Sequence, residues 1–419
     1  MKLAVVGGGS TYTPELVDGF ARLRDTLPVD ELVLVDPAAD RLGPVGGLAR
    51  RILAAQGHPG RVTTTDDLDA AVDGADAVLL QLRVGGQAAR MRDEAWPLEC
   101  GCIGQETTGA GGLAKALRTV PVVLDIADRV RRSNPHAWII DFTNPVGIVT
   151  RALLQHGHRA VGLCNVAIHL QRKFAGLLGA EPAEVRLQHY GLNHLTWEFG
   201  VSLGGREVLP QLIEEHGERI AHELHLPPEV LRRLGVVPSY YLRYYYAHDL
   251  VVEESRRAPS RAERVAEMER ALLEMYRDPT LTEKPALLGE RGGAFYSEAA
   301  VALAARLLGS GGGERVQVVN VRNAGTLPFL PDDAVVEVPA EVTPEGAVPL
   351  PAPALGPVHT GLLAHATAYE QLALEAALHG GRDRVFRALL AHPLVGQFDR
   401  ADRLTDLLLA ENKEHLPWA

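Results

Sequence analysis

Cys164, in Gly162-Leu-Cys-Asn165, and His194, in Gly191-Leu-Asn-His-Leu-Thr-Trp197, are the side chains of this sequence whose types and spacing suggest chemistry. A thiolate and an imidazole make a workable pair of ligands for a divalent metal, and two protein ligands leave open positions for substrate oxygens. Cys164 follows the apolar pair Ala160-Val161, which reads as a strand end, so it would stand where a sheet opens into a loop. His194 begins a run of period-two alternation in which Leu195, Trp197, Phe199, Val201 and Leu203 share one face and Thr196, Glu198 and Ser202 the other. That pattern predicts a half-buried strand. A lone cysteine is also a common small core residue and a lone histidine a common satisfied polar group, so spacing alone leaves both readings open.

A second candidate site lies at the start of the chain. Leu3 to Val6 reads as a short apolar strand, followed by the glycine turn Gly7-Gly8-Gly9-Ser10-Thr11-Tyr12. Thr13 suits an N-cap and Pro14 the first helical position, with Leu16, Phe20 and Leu23 at helical spacing behind them. Strand, glycine loop and helix open a dinucleotide-binding unit, in which the backbone from Gly7 to Ser10 approaches a pyrophosphate at a helix N-terminus. The next strand, Leu32 to Val35, ends in Asp36, placed to accept hydrogen bonds from a ribose diol and to select NAD over NADP. Tyr12 departs from the pattern, standing where a third glycine is usual.

The elements that must position these groups alternate. A helix over Arg41 to Gln56, strands near Val62 and over Ala77 to Leu80, a helix over Leu113 to Arg131 and a strand over Ala137 to Phe142 follow one another. They predict an α/β fold: a Rossmann-type, doubly wound parallel sheet over residues 1–155 that holds NAD. An interlocked α+β domain over 156–419 would hold metal and substrate and mediate oligomerisation. Asn144, before Pro145, stands where ligands meet such sheets, beyond the strand C-termini, or is simply a helix N-cap.

Residues 83–112 are rich in glycine and read as a ligand-facing loop, where Arg90 holds an anion or is a solvated charge. Pro238 to Tyr246 is a dense aromatic cluster, mostly packing, with room for one ionisable phenol. Ser260-Arg-Ala-Glu263 is a capping box ahead of a helix with core face Val265, Met268, Leu272 and Met275. Arg261 then sits in a first turn where a guanidinium and free amides would bind a phosphate, or is a plain surface arginine. Two C-terminal helices after residue 357 complete the pattern as packing or oligomer elements.

Composition narrows the class. With 42 basic and 53 acidic side chains in 419 residues the net charge is -11, which argues against nucleic acid as a partner. No apolar run of about 18 residues is present, so a membrane span is not expected. Met1 enters a strand directly, without the pattern of a signal peptide. Cys100, Cys102 and Cys164, odd in number, predict free thiols in a reducing cytoplasm.

Taken together, the motifs resemble the NAD- and metal-dependent glycoside hydrolases of family four, an exception to the two-carboxylate pattern of glycoside hydrolysis. The resemblance runs through Gly7 to Leu16, Arg90 to Pro97, Gly104-Gln-Glu-Thr-Thr-Gly109, Thr143-Asn-Pro-Val146, Gly162 to Asn165, Gly191 to His194, Tyr240 to Tyr245 and Arg291 to Ser297. It implies that Cys164 and His194 hold a divalent ion, usually manganese, and that Tyr241 is the base. It implies further that Arg90, Asn144 and Arg261 contact a phosphorylated sugar, and that the protein is a homodimer or homotetramer.

Asn165 replaces the Asp that serves as general acid in the α-specific branch, and an amide has no transferable proton near neutral pH. The pattern is similar to the 6-phospho-β-glucosidase branch, with Asn165 as a sugar contact. Ala167 and His169 depart from the family at positions that shape the sugar pocket. The reaction implied is transient oxidation at C3 by NAD+, loss of the C2 proton, elimination of the aglycone, addition of water and re-reduction. Two alternatives are a net NAD-dependent dehydrogenase of a hydroxy acid or sugar, and a non-catalytic NAD-responsive binding protein.

Overall fold

The computed structural model describes residues 1–293 and 295–419. Strands β1 (Lys2–Val6), β2 (Glu31–Val35), β3 (Arg61–Thr65), β4 (Ala77–Leu80), β5 (Trp138–Asp141) and β6 (Ala160–Gly162) are parallel. They lie in the order β3-β2-β1-β4-β5-β6, so the order reverses between β1 and β4 and opens a crevice at their C-terminal ends. Alternate residues of β1 face opposite cores: Leu3 and Val5 pack into one, Ala4 and Val6 into the other. Both faces of these strands are covered by helices, which is why β4 and β5 are buried at every residue and read as apolar runs, broken only by Asp141 at the end of β5.

The remaining strands are β7 (Val185–Leu192), β8 (Leu195–Leu203), β9 (Arg206–Glu207), β10 (Val237–Pro238), β11 (Val316–Arg322), β12 (Val335–Thr343) and β13 (Gly346–Pro349). They extend the same sheet to thirteen strands. β11 joins the parallel half antiparallel to β6, with Asn320 opposite Gly162, and β12, β7 and β8 follow outward. The two halves interlock because the second is built on an edge of the first. The sixth parallel strand lies beyond residue 155 and leads directly into Cys164.

Several local expectations need correction. The first helix, Thr13–Arg22, is capped at Tyr12, because the Thr13 hydroxyl accepts a hydrogen bond from Gln81 Nε2 at 2.7 Å instead of capping. The expected loop at 83–112 contains a helix, Gly86–Glu99, which carries Arg90. β8 is buried on both faces in its first half: Thr196 and Glu198 are fully enclosed, and Glu198 tolerates this because His189 pairs with it. The helix Arg261–Tyr276 buries Ala262, Val265, Glu269, Leu272 and Tyr276, while Met275 is exposed, because ion pairs from Arg41 and Arg291 draw Glu269 inward. The C-terminal helices number three, Pro357–His379, Arg382–Leu390 and Phe398–Asn412. Among the described residues no helix is long and apolar enough to cross a membrane.

Candidate active site

The crevice at the strand reversal opens into one cavity of about 1120 Å³. It runs from Gly7, Ser10 and Asp36 at one end to Asn144, Asn165, His194 and Tyr241 at the other, and is roofed by Arg261 and Arg291.

At the first end the glycines act through packing more than through donors. Gly7 holds φ +87°, and a Cβ on Gly8 would lie 2.7 Å from Cβ of Leu34. The expected free amides are engaged. Those of Gly7 and Gly8 donate to Val35 O, that of Gly9 to Asp36 Oδ2 at 3.0 Å, and that of Ser10 to Gly7 O. The turn is therefore rigid before any ligand arrives. Asp36 also accepts from the Ala38 amide at 2.9 Å, which leaves lone pairs on a carboxylate that still lines the cavity. Gly7, Ser10 and Asp36 face the cavity, while Gly8 and Gly9 stand behind the wall as packing positions. Tyr12, in place of a third glycine, donates its hydroxyl to Gly293 O and ties the turn to the second half.

At the far end Cys164 follows β6, and His194 occupies the tight turn between β7 and β8 with φ +64°. The Asn193 side chain hydrogen-bonds the Cys164 sulfur, so the residue before one candidate ligand touches the other. The Tyr241 ring stacks flat on His194, with centroids 3.6 Å apart and planes 6° apart. Tyr241 is held in the short 3₁₀ turn Tyr240–Leu242 that follows β10. Burial pulls His194 down to about 4, so its imidazole is neutral and able to donate a lone pair near neutral pH. Its Nδ1 is buried without a partner, as is Oδ1 of Asn144.

Burial, and then Glu337, push the Cys164 thiol well above its ordinary range. Burial, and then Cys164, Tyr244 and Glu106, do the same to the Tyr241 phenol. Two buried acids starved of positive charge beside an orphaned imidazole nitrogen fit a divalent cation held by Cys164 and His194. Among the described residues no group of three or more His, Cys, Asp or Glu is placed to hold a metal, so further ligands would come from substrate.

The roof is basic. Burial, and then Arg90, Arg264 and Arg291, lower the pKa of Arg261 although Glu94 opposes them, so positive charge is crowded around this guanidinium. The expected free amides of the helix Arg261–Tyr276 are occupied: Ala262 N donates to Glu94 Oε2 at 2.8 Å and Glu263 N to Ser260 Oγ at 3.1 Å. Any phosphate here would meet side chains and not a bare helix end. Arg90 is no solvated charge, since it pairs with Glu94 Oε1 at 2.8 Å and Glu106 Oε1 at 3.1 Å. Asn144 is not the N-cap of Val146–Gln155, a place taken by Pro145, and its amide faces the cavity.

Two clusters escaped the sequence reading. Glu106, in the Gly104 to Gly109 motif, gathers Arg83, Arg90 and Lys115, and the first of these holds its carboxyl well below the usual range against burial. Lys115 Nζ lies 2.7 Å from Glu106 Oε2, and burial followed by Arg83 brings it down to about 7. The second cluster is His189, enclosed between Glu198 Oε1 at 2.6 Å and Glu337 Oε1 at 3.0 Å. Glu337 Oε2 in turn accepts from Asn193 at 2.8 Å and Asn320 at 2.9 Å, which fixes the residue beside both candidate ligands. The signal for this cluster was Glu198 between Trp197 and Phe199 and Glu337 between Val336 and Val338, each a carboxylate flanked by apolar neighbours in its strand.

Despite burial, the two carboxylates raise His189 to about 10. Because the folded value exceeds the unfolded one, the stabilisation is complete below about 6.5 and is lost as pH climbs through about 10. His189→Leu, which strands two buried carboxylates, is expected to cost about 3–5 kcal/mol. Urea unfolding should also show a weaker decline between neutral and alkaline pH in the variant than in the parent.

Comparisons with known proteins agree in outline with this arrangement. A profile described as "Family 4 glycosyl hydrolase" matches residues 2–180, and one described as "Family 4 glycosyl hydrolase C-terminal domain" matches residues 189–395. The probable 6-phospho-beta-glucosidase of Bacillus subtilis (strain 168) is 39% identical over 434 residues, covering 100% of this chain and 97% of the relative. The 6-phospho-beta-glucosidase of Thermotoga maritima is 35% identical over 422 residues, covering 99% of each. A structure of the Thermotoga maritima enzyme with manganese, NAD+ and glucose-6-phosphate matches at TM-score 0.90 and 32% identity over 99% of both chains. A malate dehydrogenase from Salinibacter ruber, at TM-score 0.54 and 17% identity, shares the fold alone.

Proposed function

The chain belongs to glycosyl hydrolase family 4, and on that premise we propose that it is a glycosidase that hydrolyses 6-phospho-β-glucosides using NAD and a divalent cation, usually manganese. The observation that carries this reading is a single cavity joining a glycine turn to the His194 imidazole and the Tyr241 phenol beneath a roof of arginines, with the buried Cys164 thiol next to Asn165 of its wall. When bound, NAD supplies a reversible hydride acceptor and the cation a Lewis acid, which together make a sugar C2 proton removable.

The chain's own residues do the rest. Cys164 and His194 hold the cation, Gly7, Ser10 and Asp36 seat the nucleotide, and Gly8 and Gly9 let the turn pack closely. With the cation bound, the Tyr241 phenol would lose its proton to solvent, and the phenolate oxygen then receives the C2 proton. Asn144 presents an unpartnered amide oxygen to a sugar hydroxyl, and Asn165 lines the same wall. Asn165 cannot protonate the departing aglycone, so that proton comes from solvent or another side chain. Arg90 and Arg261 take the 6-phosphate, which fixes the ring relative to Tyr241. The first 155 residues serve the nucleotide and lend Arg90 and Asn144 to the sugar, and residues 156–419 supply the remaining sugar contacts and the cation ligands, with a cytoplasmic homodimer or homotetramer as the working form.

The test is a chromogenic 6-phospho-β-glucoside assayed with NAD and Mn2+. Turnover is expected without accumulation of NADH; stoichiometric NADH would point to the net dehydrogenase instead. Arg261→Ala should raise KM for the phosphorylated substrate about 10- to 100-fold, the worth of one or two charge-assisted hydrogen bonds. Its KM for the unphosphorylated glucoside should scarcely move. An equal rise for both substrates would remove Arg261 from the phosphate site.

A further inference from the structure

Beside the active cavity, and sharing Thr107 with it, is a second chamber of about 30 Å³, room for one or two waters or a single ion. Thr107, Thr108, Asn193, Tyr245, Tyr369 and Glu370 are its polar lining residues. On three of them, 8%, 8% and 6% exposed, the atoms Thr108 Oγ1, Asn193 Oδ1 and Tyr369 Oη are buried without a partner. The orientation of Asn193 is fixed, because its Nδ2 donates to Glu337 Oε2, so its carbonyl oxygen, an acceptor only, is left without a donor.

Glu370 adds a carboxylate with no hydrogen bond or ion pair among the described residues, and burial raises its pKa to about 7 even though Arg151 opposes the shift. Arg151 gives one nitrogen to Asp333 at 2.9 Å and makes no ion pair with Glu370, so with Glu370 ionised these three residues carry one net negative charge. An amide oxygen without a donor, hydroxyls without partners and a buried carboxylate without an ion pair are costly inside a protein.

We propose that this chamber is a monovalent-cation site, taking a potassium-sized ion on the Glu370 carboxylate, Asn193 Oδ1, Thr108 Oγ1 and Tyr369 Oη. A single carboxylate among neutral oxygens matches one positive charge; a divalent ion of this hardness draws several carboxylates. The ion would touch no substrate. Asn193 precedes His194 and hydrogen-bonds Cys164, and Thr108 lies two residues from Glu106, so the ion braces both walls of the active cavity.

The experiment is thermal unfolding of the full chain without NAD or manganese, in about 100 mM potassium or choline chloride, where ligand linkage should raise the midpoint by about 2 °C in potassium. Glu370→Gln should abolish the difference between the two salts, and Thr108→Val, which removes one neutral oxygen, should reduce it. Crystals soaked in thallium(I) should show anomalous density in the chamber. Equal midpoints of the parent in the two salts would overturn the proposal. So would a potassium shift that survives in both variants, or thallium density absent from the chamber.

Discussion

Tyr241→Phe should lower kcat by about 10²- to 10⁴-fold, the range that a positioned general base supplies. KM should change little, because a phenyl ring keeps the stack on His194 at 3.6 Å and only the hydroxyl is lost. The ionisation state of the phenol decides the size of the effect. In the protein alone, burial and the nearby Cys164, Tyr244 and Glu106 disfavour the phenolate, so the group can act as a base only when positive charge joins Cys164 and His194. The parent's kcat should therefore rise with pH on the alkaline side in the presence of Mn2+, and that limb should vanish in the variant. A substrate deuterated at C2 should react more slowly with the parent or exchange its label with solvent. A variant with parental kcat would assign the proton to another residue.

Cys164→Ser should weaken cation binding by more than about 100-fold, beyond the 10- to 100-fold loss typical of residues that only support a ligand. Serine nearly matches cysteine in volume and can still accept from the Asn193 side chain, so the fold should survive. What is lost is the thiolate, since a hydroxyl does not ionise in this setting even beside a cation that would deprotonate a thiol. Titration of Mn2+ against a competing chelator measures the effect directly, and NAD binding, seated at the other end of the cavity, serves as the control. Unchanged Mn2+ affinity in the variant would exclude Cys164 as a ligand.

Much of the architecture was legible from periodicity. The run Leu3 to Val6, the turn at Gly7 and the helix behind it form as expected, because strand, tight turn and helix are specified by neighbours in the chain. The capping box at Ser260 was equally local, and it forms as expected. Local reasoning failed where burial was decided at a distance. β8 alternates as though half-exposed, yet Glu198 is enclosed, because its partner His189 lies across β7 and the second carboxylate, Glu337, arrives from β12. The helix carrying Arg90 is hidden behind glycines that suggest a loop, one of which, Gly85, serves as its N-cap at φ +81°.

The amino-acid sequence by itself determined the parallel half-sheet, the nucleotide turn and the identities of Cys164, His194 and Tyr241 as chemical groups, since each follows from residue type and short-range pattern. Only the tertiary structure decided that His194 and Tyr241 line one end of one cavity with Cys164 buried close to Tyr241, that amides of the glycine turn and of the Arg261 helix are already occupied, and that Glu106 and Glu337 govern the charge around them. The physical reason is that ionisation, hydrogen-bond saturation and burial are set by what packs against a side chain. Those neighbours come from strands and helices far apart in the chain, joined only when the sheet closes through β6 and β11.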